Sequence, residues 1–161
     1  MKILEAYCIV KDGILRDLAT EENWKHEDYE FLRTQPLNKV VYKLNESLHS
    51  ILQGRNEGLH LCSMLVCCLS QSPQRFVPTM EDMHRTVIKK NHDYGDSFYK
   101  LHKLMPFAYK VRVFDKVVRL QTLTEKKTAS VEDESIIDTM LDLANYCMLE
   151  LAARIMDRKE K

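Results

Sequence analysis

One run of apolar residues near the C-terminus constrains the fold more than any other feature. Ile137, Met140, Leu141, Ala144, Cys147, Met148, Leu151 and Ile155 recur in steps of three and four. That spacing gathers them on one side of a helix, whereas a strand would scatter them over both faces. An apolar face this broad has to be covered by other helices. Leu37, Val40, Val41, Leu44, Leu48 and Leu52 repeat the pattern, with Gly54 as a stop, and residues 57–70 are nearly all apolar and predict a central helix. Four glycines and four prolines in 161 residues are too few for a turn-rich β-sandwich. The expected class is all-α: a single domain over 1–161, a bundle of about six helices.

The remaining elements follow from local signals. Gln71 to Pro78 holds two prolines and reads as a connection. Thr79 then caps a helix running to about His92 and stopping at Asp93-Tyr94-Gly95. A short helix is expected over 97–104, with Asp93 and Asp96 available to cap it. Pro106 opens a long helix whose buried face is Val113/Phe114, Val117, Leu120 and Leu123. The last helix begins near Ser130 and reaches about Met156. The first 20 residues are ambiguous. Asp12-Gly13 between Tyr7–Val10 and Ile14-Leu15 predicts a small N-terminal β-hairpin, and a short helix fits the same residues nearly as well.

Charge and composition exclude several classes. Lys plus Arg and Asp plus Glu are both 24, so the net charge is zero, which argues against a nucleic-acid binder. No apolar run reaches the roughly 18 residues of a membrane span, and the N-terminus lacks a signal-peptide core. A cytoplasmic protein with no membrane partner is expected. Cys8, Cys62, Cys67, Cys68 and Cys147 are odd in number and show no zinc spacing, so they read as reduced, mostly buried thiols. The six histidines have no metal-ligand spacing. No glycine-rich phosphate loop or nucleophile elbow occurs.

Three polar features remain. Lys89-Lys90-Asn91-His92-Asp93-Tyr94-Gly95-Asp96-Ser97 is one. Gly95 can end a helix there, and Lys90 beside a turn can hold a phosphate, with Tyr94 and Phe98 offering stacking faces. Arg112, Lys116 and Arg119 form a cationic stripe at i, i+4 and i+7. Glu134, Asp138, Asp142 and Asn145 form an acidic stripe bordering the apolar face of the last helix. A short turn joins the two helices, so they are expected to pack antiparallel with the stripes facing. Interhelical ion pairs and a phosphate-binding polar cleft are then equally good readings.

The stretch from about Met80 to Leu151 resembles a phage and prophage family, nucleotide modification associated domain type 1. The motifs are Lys90-x-x-Asp93-Tyr94-Gly95-x-Ser97-Phe98, Lys116-x-x-Arg119-Leu120, Glu134-Ser135-Ile136-x-Asp138 and Asp142-Leu143-Ala144-Asn145-Tyr146. Residues 1–75 carry no family assignment. The resemblance implies a phage-infected or lysogenic bacterial setting and a nucleotide ligand. There is a fainter likeness to the MazG-type all-α nucleotide pyrophosphohydrolases, whose paired acidic helices bind Mg²⁺. Here Asp115-Lys116-x-x-Arg119 stands where that family has Glu-Glu-x-x-Glu, and Asp138-x-x-x-Asp142 where it has Glu-x-x-Asp.

The leading expectation is a phage-type protein that recognises a phosphate-bearing nucleotide in a cleft between helices. Its nucleotide set is Lys90, Asp93, Tyr94, Gly95, Ser97, Lys116, Arg119, Asp138, Asp142 and Asn145. Three alternatives stand beside it. One is a Mg²⁺-dependent nucleotide hydrolase, with the metal on Glu134, Asp138 and Asp142. The second is non-catalytic sequestration of a host nucleotide immune signal, an anti-defence role. The third is a structural helical bundle. Binding itself requires no cofactor. A homo-oligomer is expected, because the Leu59–Leu69 helix could bury a second subunit's surface.

Overall fold

Five helices make up most of the residues that the computed structural model describes, which are 1–19, 51–53, 55, 56, 59, 73–94, 96–125 and 131–161. They are α1 (Ile3–Ala19), α2 (Pro73–Tyr94), α3 (Ser97–Leu104), α4 (Ala108–Glu125) and α5 (Val131–Glu160). The fold is all-α, and no strand occurs among the described residues. The helices expected over 37–52 and 57–70 lie almost wholly outside those residues. Ile51 and Leu59 are described, and both are buried in the core.

The N-terminal hairpin does not form; α1 runs straight through Asp12-Gly13. Ile3, Ala6, Tyr7, Val10 and Ile14 are all buried. Their spacing of three and four residues outweighs a two-residue turn signal, because only a helix buries all five on one face. Glu5 strengthens the start, its carboxylate accepting the Lys2 backbone N–H at 3.1 Å, as the third residue of a capping box does. A second correction concerns Gln71–Pro78. Pro73 opens α2, which continues through Pro78. Pro73 suits the first helical position, where its missing N–H has no partner to lose; Pro78 lies past the first turn, and nothing local explains its place there. The third concerns Asp96, which precedes α3 but makes no side-chain capping bond.

α5 is the central element and packs against all four others. Its Met140, Leu143, Ala144, Cys147, Met148, Ala152 and Ala153 are almost fully buried. The alanines let neighbouring helices approach, and each buried Met or Leu contributes about 1.5–3 kcal/mol of burial free energy. α4 lies antiparallel on α5, as expected. Lys116 meets Asp142, Arg112 meets Tyr146 and Tyr109 meets Arg154, so one sequence rises as the other falls. Val113, Val117 and Leu120 form the buried face of α4, whereas Phe114 is 51% exposed and lies beside exposed Val111 and Val118. No described helix is long and apolar enough to cross a membrane.

Candidate functional site

The chain folds the Lys90–Ser97 segment against the α4–α5 seam. α2 ends at Tyr94 and α3 starts at Ser97, so the turn between them delivers Lys90 and Asn91 from one helix and Ser97 and Phe98 from the next. Arg112 of α4 and Asp142, Asn145, Tyr146 and Leu149 of α5 complete the wall with Ile3 and Val87, around a cavity of about 480 Å³. That volume suits a small polar ligand.

Arg112 dominates the cavity. Its guanidinium carbon lies 5.6 Å from the Phe98 ring centroid and 5.3 Å from that of Tyr146. Two rings therefore hold the planar group, each cation–π contact contributing about 0.5–2 kcal/mol. Among the described residues no carboxylate pairs with it. Its charge is positioned yet unneutralised, with hydrogen-bond donors to spare. Asp142 is the reverse case. Lys116 Nζ lies 3.1 Å from its Oδ2 and Lys90 Nζ 3.8 Å from its Oδ1, so both oxygens face lysines.

Asn145 forms a fixed polar point in the wall. It is 7% exposed; the hydroxyl of fully buried Tyr7 donates to its Oδ1 at 2.6 Å, and its Nδ2 donates to the Met83 carbonyl at 3.5 Å. The Met83 carbonyl can only accept, so it fixes the nitrogen end of the amide and leaves Oδ1 to the Tyr7 hydroxyl.

Of the sequence-derived nucleotide set, Lys90, Ser97, Asp142 and Asn145 line the cavity, and Lys116 joins them through Asp142. Arg119 and Asp138 are exposed and do not line it. Asp93 and Tyr94 fall in the last turn of α2, with their side chains outside the described set, and Gly95 lies outside it altogether. The side chain of Glu134 is also outside it. A metal on Asp138 and Asp142 finds a poor donor set: Asp142 is occupied by two ammonium groups, and no cluster of three metal-ligating side chains occurs among the described residues. Arg112 was legible as part of the cationic stripe but not as a ligand group; its rings come from positions 14 residues before and 34 residues after it.

Two further polar clusters brace the site. At the α3–α5 contact, His102 Nδ1 lies 3.1 Å from Glu150 and Nε2 lies 2.7 Å from Asp157. Arg154 Nε also donates to Glu150 at 3.0 Å, and the Tyr99 hydroxyl donates to Asp157 at 3.0 Å. Burial, with bonds to Glu160 and Asp157, pushes the Tyr99 phenol up to about 12. At the α1–α2 contact, Lys11 donates to Glu81 at 3.0 Å and to His84 Nδ1 at 3.3 Å. An ammonium only donates, so Nδ1 accepts, and in the neutral ring Nε2–H donates to Cys8 Sγ, 3.5 Å away. Burial, and then the Lys11 charge, hold His84 below the ordinary histidine range. Cys8 is thus half-buried and hydrogen-bonded, while Cys147 is buried; the other three cysteines lie outside the described residues.

Fold and cavity define an all-α domain with a cationic, aromatic-lined site. The family comparison gives that class its particular form: residues 90–153 match the model of nucleotide modification associated domain 1. The matched segment starts at Lys90 and ends at Ala153 on α5, so it holds every polar residue of the cavity wall. The resemblance carried by the sequence motifs is thereby shown for residues 90–153, a match that starts ten residues later and ends two later than the expected 80–151. No curated protein and no solved structure matches the chain.

Proposed function

We propose that the protein binds a nucleotide in the 480 Å³ cavity, with Arg112 and Lys90 on its phosphate. The carrying observation is the Arg112 guanidinium, fixed between Phe98 and Tyr146 and without a carboxylate partner among the described residues. A planar fork of donors with no internal carboxylate is suited to an external oxyanion. The amide of Asn91 and the hydroxyl of Ser97 add polar contacts, while Ile3, Val87 and Leu149 supply apolar surface for a base or sugar. The family match supports a nucleotide-related role.

Sequestration and hydrolysis both begin with this binding step. The lysine-occupied Asp142 favours retention of an intact ligand over metal-assisted cleavage. A phage-encoded, cytoplasmic, oligomeric protein that withholds a host nucleotide signal is the fuller form of this reading.

Isothermal titration against a panel of linear and cyclic nucleotides, followed by chromatography of the recovered ligand, tests it. At least one nucleotide should bind and be recovered intact. Arg112→Gln should weaken binding by about 10–100-fold, as loss of a charge-assisted contact does. A panel with no binder, or binding untouched by Arg112→Gln, refutes the assignment; a cleaved product refutes sequestration.

A further inference from the structure

The charges around the cavity form an inventory that a ligand there has to match. Lys90 and Arg112 line the wall with Asp142, and Lys116 stands behind Asp142 at 3.1 Å. Among the described residues, three cations thus surround one carboxylate, which leaves two positive charges unbalanced there. One of the two is placed: Arg112 has no acidic partner among the described residues and cannot swing away from its two rings without losing both contacts.

Ligand charge has to match this inventory in a half-enclosed site, where excess charge of either sign is poorly screened. A phosphomonoester carries close to two negative charges at neutral pH. Each further phosphate adds negative charge that these side chains do not balance. Triphosphate sites usually recruit Mg²⁺ through free carboxylates, and here the lining carboxylate is already held by Lys116 at 3.1 Å and Lys90 at 3.8 Å.

We infer that the cavity is built for a nucleoside monophosphate, held directly by Arg112 and Lys90 without a divalent cation. This deepens the nucleotide-binding reading and rests on it. The monoester phosphate meets the guanidinium fork and the Lys90 ammonium. Lys116 keeps Asp142 neutralised so that the carboxylate does not repel the ligand. The nucleoside takes up the apolar wall and the amides of Asn91 and Asn145.

The test is calorimetric titration of the full chain with ribo- and deoxynucleoside monophosphates, the matching triphosphates and inorganic phosphate, each in EDTA and in Mg²⁺. At least one monophosphate should bind equally well in both buffers and about tenfold tighter than its triphosphate. Asp142→Asn raises the net positive charge by one and should shift preference toward the triphosphate, while Lys90→Gln should weaken the monophosphate. Both positions are partly exposed, and circular dichroism verifies that the variants fold. Tighter triphosphate binding, or binding that needs Mg²⁺, overturns this inference and leaves nucleotide binding standing. Inorganic phosphate binding as tightly as any nucleotide overturns it as well, since no nucleoside is then being read. Silence from every nucleotide removes both.

Discussion

Tyr7→Phe isolates a single oxygen atom. The Tyr7 ring is fully buried, and its hydroxyl donates at 2.6 Å to Asn145 Oδ1, in a residue only 7% exposed. Phenylalanine keeps the ring and its stacking on His84, whose centroid lies 5.5 Å away. The hydrogen bond to Asn145 disappears with the hydroxyl, leaving a buried acceptor without this donor. The bond itself is worth about 1 kcal/mol and an unsatisfied buried acceptor costs about 1–3 kcal/mol, so a loss of about 2 kcal/mol is expected. For a chain of 161 residues that lowers Tm by about 4–8 °C. In urea, with m of about 2 kcal/mol/M, the midpoint falls by about 1 M at unchanged m. In an Asn145→Ala background the same substitution should cost much less, because the acceptor has already gone, giving a coupling energy of about 1 kcal/mol or more. A midpoint within about 0.2 M of the parent, or additive single and double variants, would refute the idea that Tyr7 orients the amide.

Two further predictions concern the bracing clusters. Glu150 is nearly buried and serves both His102 and Arg154. Glu150→Ala should therefore cost about 3 kcal/mol or more in chemical unfolding, whereas Lys103→Ala, whose pair with Glu160 is about half-exposed, should leave the unfolding midpoint nearly unchanged; equal losses would contradict the burial argument. His84 is held below the ordinary histidine value of 6.5 by burial and then by Lys11. The unfolded chain therefore binds the proton first, so this stability is complete above pH 6.5 and drains as pH falls toward the lower folded value. His84→Gln should flatten the stability profile of that window, and a profile that keeps its slope would remove His84 as the cause.

Legibility in the sequence divides along physical lines. α3, α4 and α5 were readable because their apolar positions repeat at helical spacing and their ends carry Pro106 or the Asp93–Gly95 stop. α1 is ambiguous in the sequence because Asp12-Gly13 is a local turn signal, and only the tertiary burial of Ile3, Tyr7 and Ile14 decides for the helix. Within the cavity, Lys90, Ser97, Asp142 and Asn145 were readable from motif density. The Arg112 sandwich was not, since no local pattern announces that Phe98 and Tyr146 will close on one side chain. The same holds for His102, whose partners Glu150 and Asp157 lie 48 and 55 residues away.

α5 carries Asp142, Asn145 and Tyr146 at the cavity and Glu150, Arg154 and Asp157 at the brace, all on one uninterrupted helix. A helix turns by about 100° per residue. Inserting or deleting one residue between Tyr146 and Glu150 would swing one group out of phase with the other by that angle. Ligand wall and brace therefore share a reading frame in space. Along this stretch the chain can exchange side chains one at a time, but it cannot change length.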